Sequence, residues 1–346
     1  MAQGKKIIRY TLIVVLSILS FFTWRIFGSN TNFEESKKSV FIKTGTTFLR
    51  VRKELDSKGV VSNTKSFSLL AKLSGYKQNI LPGKYVFEKG ASLYTIIKTL
   101  KSGRQTPVNL VINKLRTKED FAMKIAASFE CDSTSVINFI NNNDSLAAFN
   151  LDSNTVMTAV VPNTYSLIWN TSFPKIFRRL YNEQQKFWND ERKKKAAAAG
   201  LTPQQVYTLA SIVEEETNKE EDKGKIASVY INRINKGMRL GADPTVKFAL
   251  KDFGLKRIYE KHLRVQSPYN TYLNSGLPPG PICTPSAKTI DAVLNAPATG
   301  YLYFVAKPDL NGYSNFAFTY EEHLRFAKAY QQALDTLMLK KAGAIN

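Results

Sequence analysis

Three consecutive glutamates, Glu214–Glu216, are the residues of this chain whose type and spacing most directly suggest acid–base chemistry. Neighbouring carboxylates repel one another, and repulsion combined with burial raises a carboxyl pKa, so that the group stays protonated. A protonated carboxyl is the general acid that cleavage of a glycosidic bond requires. Taken alone, a run of glutamates is usually a solvated helix end, so the catalytic interpretation is the less favoured of the two at this point.

The glutamates follow a segment with a strong helix start. Thr202–Gln205 supplies a threonine N-cap, a proline at the first helical position and a glutamine at the third. Four apolar residues then fall on one helix face: Val206, Leu209, Ala210 and Val213. At about 100° per residue, Glu215 points away from this stripe toward solvent, Glu216 lies beside it and Glu214 borders its other edge. Helix geometry therefore favours Glu216 or Glu214 as a residue that faces a cleft.

Charge and cysteine content narrow the classes of function. The 49 Lys and Arg residues exceed the 28 Asp and Glu residues, giving a net charge of +21. This balance favours an anionic partner, although a soluble basic surface explains it equally well. The sequence has no zinc-ligand cluster, no Walker loop and no RNA-binding aromatic pattern, so we expect no nucleic acid, metal or cofactor. Cys131 and Cys283 are too few for a disulfide framework, and we expect both to be free and structural.

The N-terminal segment Ile7–Phe27 is apolar and about as long as a membrane-spanning helix must be. Lys5, Lys6 and Arg9 precede most of it, which favours a cytoplasmic N-terminus, and Arg25 on the far side weakens that preference. A cleaved signal peptide has a similar pattern, but no small-x-small cleavage site follows the apolar run. We expect a cytoplasmic tip and uncleaved anchor over residues 1–28, with the remaining chain exported.

A strand–turn–helix pattern recurs after a polar linker at residues 29–38. Two apolar stretches, Val40–Ile42 and Tyr85–Phe87, each lead to a glycine, a hydroxyl residue that can cap a helix, and a short helical segment. A third copy starts at Val108–Ile112 and continues into Thr117–Asp120, an N-cap with an acidic residue at the third helical position. These units predict an α+β fold.

The same pattern predicts two successive regions. We expect one small module over residues 39–103 and a connecting subdomain over residues 104–160. Further along, Phe173–Ala199 reads as one long charged helix that Gly200 can end.

Seven longer motifs occur in order over about residues 205–325. They are LASIVEEET (209–217), ASVYINRI (227–234), GMRL (237–240), DPTV (243–246), YNTY (269–272), GLPPGPI (276–282) and YLYFV (301–305). Together they resemble the endolytic murein transglycosylase family, also described as MltG or YceG-like. The resemblance implies a LysM-like module over residues 39–103 and a transglycosylase catalytic domain over residues 161–346.

The resemblance also implies a reaction. Such enzymes cleave the bond between N-acetylmuramic acid and N-acetylglucosamine within a peptidoglycan strand and leave a 1,6-anhydro end. The family's catalytic glutamate directly precedes a threonine and corresponds to Glu216. By position in the motifs, the candidate substrate-binding residues are Glu214, Asn232, Arg233, Asp243, Tyr269, Asn270 and Tyr272. For Asn232 and Arg233 a structural hydrogen bond is an equal alternative, and Asp243 could instead cap a turn.

The implied setting is the cytoplasmic membrane, with the C-terminal domain outside the cytoplasm, glycan strands as substrate and peptidoglycan synthases as candidate partners. The alternative is a non-catalytic envelope protein that binds glycan or a synthase. One departure from the family pattern concerns the Glu-Gly pair that usually precedes Pro-Asp-Thr-Tyr. This chain has Thr158-Ala159 ahead of Pro162–Tyr165, so no carboxylate function is expected there.

Overall fold

The computed structural model describes residues 2–343 and has a mixed α+β fold. The chain divides into two compact units. The first unit comprises residues 1–110, 127–131 and 166–172, and the second comprises residues 111–126, 132–165 and 173–346. Both units are therefore built from segments that are discontinuous in sequence.

The first unit contains helices and one antiparallel strand pair. Its elements are α1 (Ala2–Phe27), β1 (Lys37–Ile42), α2 (Phe48–Ser57), α3 (Thr64–Leu73), β2 (Gly83–Glu88) and α4 (Leu93–Ser102). Strand β1 pairs with β2 from Lys37 opposite Glu88 to Ile42 opposite Gly83. The core between this pair and the helices is fully buried and includes Val40, Leu55, Phe67, Tyr85, Ile96 and Leu100. The predicted strands at Val40–Ile42 and Tyr85–Phe87 are confirmed.

The remaining elements belong mostly to the second unit. They are β3 (Val108–Val111), α5 (Lys118–Ser128), α6 (Ser133–Asn141), α7 (Asn143–Ala147), a 3₁₀ helix (Val156–Ala159), β4 (Thr164–Leu167), α8 (Phe173–Phe187), α9 (Asp190–Ala198), α10 (Pro203–Glu216), α11 (Glu220–Asn235), α12 (Asp243–Leu250), α13 (Glu260–Leu263), α14 (Ala287–Leu294), β5 (Tyr303–Ala306), β6 (Ser314–Ala317) and α15 (Tyr320–Gly343). Strand β3 pairs with β4, and β5 with β6. The chain passes from one unit to the other five times, including once within each of β3, α5 and β4.

Helix caps explain several of these boundaries. Thr117 and Asp120 bond reciprocally, side chain to backbone, at the start of α5, as the sequence predicts. The expectation of a single helix over Phe173–Ala199 is wrong, because the chain breaks between α8 and α9. Asn189 caps α9 by accepting a hydrogen bond from the Arg192 amide, and a cap requires extended rather than helical backbone.

Helix α10 is the centre of the second unit's core and packs against α11, α12 and α14. All residues from Val206 to Val213 are buried, not only the apolar stripe seen in the sequence. The buried polar residues among them find internal partners. Tyr207 donates to the Val160 carbonyl, and Ser211 accepts from the Ile282 amide at 3.0 Å. The part of α10 that precedes the three glutamates is therefore packed on all of its faces.

Within the described residues, α1 is the one helix long and apolar enough to cross a membrane, over Ile7–Phe27. None of this window is buried by the rest of the protein. The side chains of residues 1–6, which include Lys5 and Lys6, and of residues 341–342 lie outside the described part, as do residues 344–346. Of the two cysteines, Cys283 is buried with its thiol directed at the Ser211 carbonyl, and Cys131 is partly exposed.

Candidate active site

Glu216 is the last residue of α10, and its carboxyl group is held by a buried tyrosine on the next helix. Thr217 has extended backbone angles, so the helix stops directly after the glutamate. The Tyr230 hydroxyl donates a 2.6 Å hydrogen bond to Glu216 Oε1. Tyr230 is only 1% exposed, and its ring packs edge-on against Phe304 on β5. The tyrosine therefore fixes the carboxyl in one orientation.

The pKa of Glu216 is raised to about 7, chiefly because burial disfavours the charged carboxylate. The hydrogen bond from Tyr230 acts in the opposite direction by stabilising the carboxylate. The negative charge of Asp243 raises this pKa further, and the positive charges of Lys247 and Arg233 lower it. A group with this pKa is present in both protonation states near neutral pH, which suits a residue that must both donate and accept a proton.

Repulsion within the glutamate triplet is not the cause of this shift, contrary to the sequence-based argument. The two neighbouring carboxylates are engaged by other cations. Glu215 contacts Lys114 and Arg116, whereas Glu214 contacts Lys223. The raised pKa of Glu216 is instead caused mainly by the partial burial of its carboxyl group.

The expectation that Glu215 faces solvent is wrong. Its side chain is only 16% exposed, and its carboxylate bonds to Lys114 at 3.0 Å and to Arg116 through both oxygens, at 3.3 and 3.0 Å. Burial alone would raise the pKa of Glu215, but the bonds with Arg116 and Lys114 bring this pKa below its ordinary value. The basic partners lie about a hundred residues earlier in the chain, where the helical periodicity of α10 gives no information.

Glu215→Gln should therefore lower stability by about 1 kcal/mol, the scale of a charge-assisted hydrogen bond at a partly exposed site. The folded state depresses this carboxyl pKa, so the contribution is present above the unfolded-state pKa and is lost as pH falls through the lower folded-state value. Urea unfolding at pH 7 and pH 3 measures this effect. The difference from wild type should shrink at pH 3, and an equal difference at both values would contradict the ion-pair explanation.

Asp243 and Tyr272 form a second polar pair on the side of Glu216 where α12 begins. The Tyr272 hydroxyl donates to Asp243 Oδ1 at 2.6 Å. Asp243 is exposed, whereas Tyr272 is partly buried, and burial together with this bond raises the Tyr272 pKa. The charge of Asp243 acts on Glu216, and the charge of Glu216 acts on Tyr272, so the three groups belong to one electrostatic cluster.

Arg233 joins this cluster but is anchored by backbone carbonyl groups. Its Nε donates to the Leu302 carbonyl at 2.7 Å and its Nη1 to the Leu240 carbonyl, and the guanidinium lies 5.2 Å from the centre of the Tyr303 ring. The side chain thus connects α11 with the segments before α12 and β5. Its structural role is clear in the geometry, and its charge still lowers the Glu216 pKa.

The remaining predicted residues are held by partners other than Glu216. Asn232 donates to the carbonyls of Thr299 and Tyr301, and Asn270 is fully buried and donates to those of Leu263 and Val265. Tyr269 packs on Phe248 at 4.7 Å. Glu214 accepts from Ser286 and Thr289 and pairs with Lys223, whose side chain is 5% exposed. Each of these side chains has an internal partner that supports the fold around the cluster.

Tyr230 and Lys247 act on Glu216 in the structure, although the sequence does not single out either residue. Tyr230 stood inside one of the quoted motifs, three residues before Arg233, which places both on the same face of α11. Lys247 follows Asp243 by four residues on α12 and so shares its face. Among the described residues there is no group of three or more His, Cys, Asp or Glu side chains that could hold a metal ion.

These observations define a class of site: a carboxyl with a raised pKa at a helix end, hydrogen-bonded to a buried tyrosine and close to charged side chains. The chain belongs to the YceG-like family, whose model matches residues 40–329. It is 30% identical over 321 residues to the endolytic murein transglycosylase of Bacillus subtilis (strain 168), covering 86% of each chain.

Other relatives agree with this placement. The chain is 27% identical over 308 residues to the endolytic murein transglycosylase of Streptococcus pneumoniae serotype 2 (strain D39), covering 78% of this chain and 55% of that protein. The crystal structure of a YceG-like protein from Listeria monocytogenes is similar, with a TM-score of 0.57 and 28% identity, over 84% of this chain and 99% of that one.

Proposed function

We propose that this protein is an endolytic murein transglycosylase in which Glu216 is the catalytic acid and base. The observation that carries the proposal is the Glu216 carboxyl, with a pKa of about 7 and a 2.6 Å bond from Tyr230, in a chain of the YceG-like family. The substrate is the glycan of peptidoglycan. The alternative of a non-catalytic binding protein is less favoured, because a binding surface does not require a desolvated carboxyl next to a buried tyrosine.

The reaction needs one residue to act twice. Protonated Glu216 gives its proton to the oxygen that links N-acetylmuramic acid to N-acetylglucosamine, and the bond from the muramoyl C1 to that oxygen breaks. The C6 hydroxyl of the same muramoyl residue then attacks C1, and the Glu216 carboxylate takes its proton. A 1,6-anhydro bond forms, no water is consumed, and the acid is regenerated. The intramolecular nucleophile benefits from the high effective concentration of a tethered group.

Side chains around Glu216 divide into two proposed roles. Asp243 is exposed beside Glu216, and with the hydroxyl of Tyr272 it offers polar groups suited to sugar hydroxyl or acetamido groups. Tyr230 and Arg233 act as positioning residues, because the Tyr230 hydroxyl and the Nε and Nη1 atoms of Arg233 already donate hydrogen bonds within the protein. We propose a supporting role also for Glu214, Asn232, Tyr269 and Asn270.

The first unit extends the proposal toward the cell envelope. We infer that α1 anchors the protein in the cytoplasmic membrane, with the second unit outside the cytoplasm where peptidoglycan lies. Residues 39–103 contain most of β1 and all of α2, α3, β2 and α4, in the order strand–helix–helix–strand–helix, which supports a LysM-like module. Residues 161–346, with a connecting subdomain at 104–160, form the proposed catalytic domain. Peptidoglycan synthases are proposed partners.

The pH dependence of the reaction tests the role of Glu216. Because the acid form must be present, kcat/KM should fall as pH rises above about 7, the pKa of Glu216. Tyr230→Phe removes a donor that stabilises the carboxylate, so the Glu216 pKa should rise and the alkaline limb should move to higher pH. The measurement is the rate of 1,6-anhydromuramoyl end formation from uncrosslinked glycan, followed by mass spectrometry between pH 5 and pH 9.

Tyr207→Phe is the matched control for this experiment. Tyr207 is also a fully buried tyrosine whose hydroxyl bonds inside the core, but its acceptor is the Val160 carbonyl. Its loss should reduce stability and leave the alkaline limb unchanged. An unshifted limb in folded Tyr230→Phe would contradict the assigned effect of the tyrosine, and the absence of anhydro products from wild type at every pH would contradict the proposed function.

A further inference from the structure

The face of the first unit next to the end of α1 combines exposed leucines with lysines. On α3, Leu69 and Leu73 are 55% and 75% exposed, and Lys65 and Lys72 are exposed beside them. These four residues are spaced so that they share the outer side of the helix. The opposite side of α3, at Phe67 and Ala71, is fully buried in the core. Helix α3 is thus apolar on both sides, and Leu69 and Leu73 on the outer side remain more than half exposed.

Helix α4 contributes a similar face. Tyr94 is 46% exposed, and Lys98 and Lys101 follow it at intervals of four and three residues. The Lys98 ammonium lies 5.7 Å from the centre of the Tyr94 ring, and the same ring lies 5.3 Å from that of Phe27, the last residue of α1. Neither α3 nor α4 contains an acidic residue. The two helices therefore present four lysines with no carboxylate of their own to neutralise them.

The depth of this surface follows from the contacts of α1. A small cavity of about 160 Å³ is lined by Phe21, Phe22, Arg25 and Ile26 of α1 and by Ser66, Leu69, Leu70 and Leu73 of α3. Phe21 is six residues before the end of the apolar window at Phe27, which is roughly 9 Å along a helix axis. If Ile7–Phe27 fills the hydrocarbon layer, Leu69 and Leu73 of α3 lie at the depth of its last two turns, just inside the boundary of that layer.

We propose that this face, formed by Lys65, Leu69, Lys72 and Leu73 of α3 with Tyr94, Lys98 and Lys101 of α4, is a membrane-docking surface that inserts into the leaflet at the C-terminal end of α1. The occupant is the bilayer itself. Leucines enter the acyl boundary, Tyr94 lies at headgroup level, and the lysines contact anionic phosphates, as in helices that lie in a membrane interface. Continuity with the spanning helix and the unneutralised positive charge carry the assignment. The inference rests on the proposed anchoring by α1.

Docking of this kind would give the protein a second attachment besides its single helix. The contacts of α1 with α3 and α4 lie at its C-terminal end, between Phe21 and Phe27. With α3 and α4 also seated in the interface, tilting of the unit about that end of α1 is restricted.

Quenching by spin-labelled lipids tests the surface in the full-length protein. In a Cys131→Ser background, where the other cysteine is buried, single cysteines are introduced and labelled with the fluorophore NBD. Leu73→Cys reports the proposed surface, Leu19→Cys reports the anchor, and Asp56→Cys on α2 is an exposed control. The protein is reconstituted in phosphatidylcholine vesicles with phosphatidylglycerol. Parallel samples carry a lipid nitroxide near the top or near the end of the acyl chain, because Leu19 lies close to the middle of the Ile7–Phe27 window.

We expect quenching at positions 19 and 73 and little at position 56. Quenching at position 73 should weaken when phosphatidylglycerol is omitted or in Lys65→Glu/Lys72→Glu, while position 19 is unaffected. Quenching at position 19 with none beyond the control at position 73 overturns the docking surface and leaves the anchor intact. Blue-shifted NBD emission at position 73 without quenching means that protein covers the face, which also overturns it. No quenching at position 19 instead refutes the anchor.

Discussion

Glu216→Gln is expected to lower the rate of 1,6-anhydromuramoyl end formation by about 10³–10⁴-fold or more. General acid–base catalysis typically contributes about 10²–10⁴-fold, and here one residue serves both proton transfers, so the loss falls at the upper end. Glutamine keeps the size of the side chain, and its carbonyl can still accept the bond from Tyr230, but it cannot exchange a proton near neutral pH. The measurement is mass spectrometry of products from uncrosslinked glycan.

The folding of this variant should be preserved or improved above neutral pH. The folded state raises the Glu216 pKa to about 7, so this carboxyl contributes most to stability below its unfolded-state pKa, and the contribution is lost as pH rises through the folded-state value. A neutral amide avoids that loss. Thermal unfolding of Glu216→Gln at pH 8 should therefore give a melting temperature no lower than wild type, which separates a catalytic defect from misfolding.

The two neighbouring glutamates provide matched controls for the same substitution. Glu215→Gln should retain near wild-type turnover, since its carboxylate is paired with Lys114 and Arg116 rather than with the cluster. Glu214→Gln should have an intermediate effect, because it changes the charge near the end of α10 and leaves Lys223 with Glu220 as its remaining anionic partner. If folded Glu216→Gln retained activity while Glu214→Gln lost it, the catalytic assignment would be displaced by two residues.

Local signals in the sequence predicted the positions of helices well. The predicted cap of α10 forms as expected: the Gln205 amide donates to Thr202 Oγ1 at 3.2 Å, and the Thr202 amide donates to Gln205 Oε1 at 2.8 Å. Such a cap is predictable because it depends only on residues within one turn. The break at Asn189 was visible in principle as an N-cap type followed by Asp190 and Glu191. The charged composition of Phe173–Ala199 hid it, since propensity alone does not distinguish one helix from two.

The contacts between side chains at the site could not be predicted from local sequence signals. The family resemblance implied Glu216 as the catalytic residue, but the contact with Tyr230 depends on how α10 packs against α11, and the pairing of Glu215 with Arg116 joins residues 99 positions apart. The seven residues expected around Glu216 all stand in the family motifs. Two of them, Asn232 and Asn270, donate to backbone carbonyls instead, because the carbonyl groups of the adjoining loops need internal donors.

Gly280→Ala is expected to destabilise the second unit by about 3 kcal/mol, at the upper end of the usual range for overpacking a buried position. An added Cβ at residue 280 would lie 2.0 Å from the Asn154 carbonyl oxygen and 2.8 Å from its carbon. These are backbone atoms, so a side-chain rotation cannot relieve the overlap. The loop must move instead. Urea unfolding followed by far-ultraviolet circular dichroism measures the loss.

The loop that contains Gly280 leads directly to residues that brace α10, which is why its displacement should also reduce activity. Two residues beyond it, the Ile282 amide donates to Ser211, and the Cys283 thiol meets the Ser211 carbonyl at 3.4 Å. Gly224→Ala is the matched control. There the added Cβ meets nothing closer than 3.4 Å, and alanine within α11 should raise stability by about 0.5–1 kcal/mol. Equal stability of the two variants would show that the backbone from Pro278 to Pro281 can move to accommodate an added Cβ. The close approach to Asn154 would then not be the reason why residue 280 is a glycine.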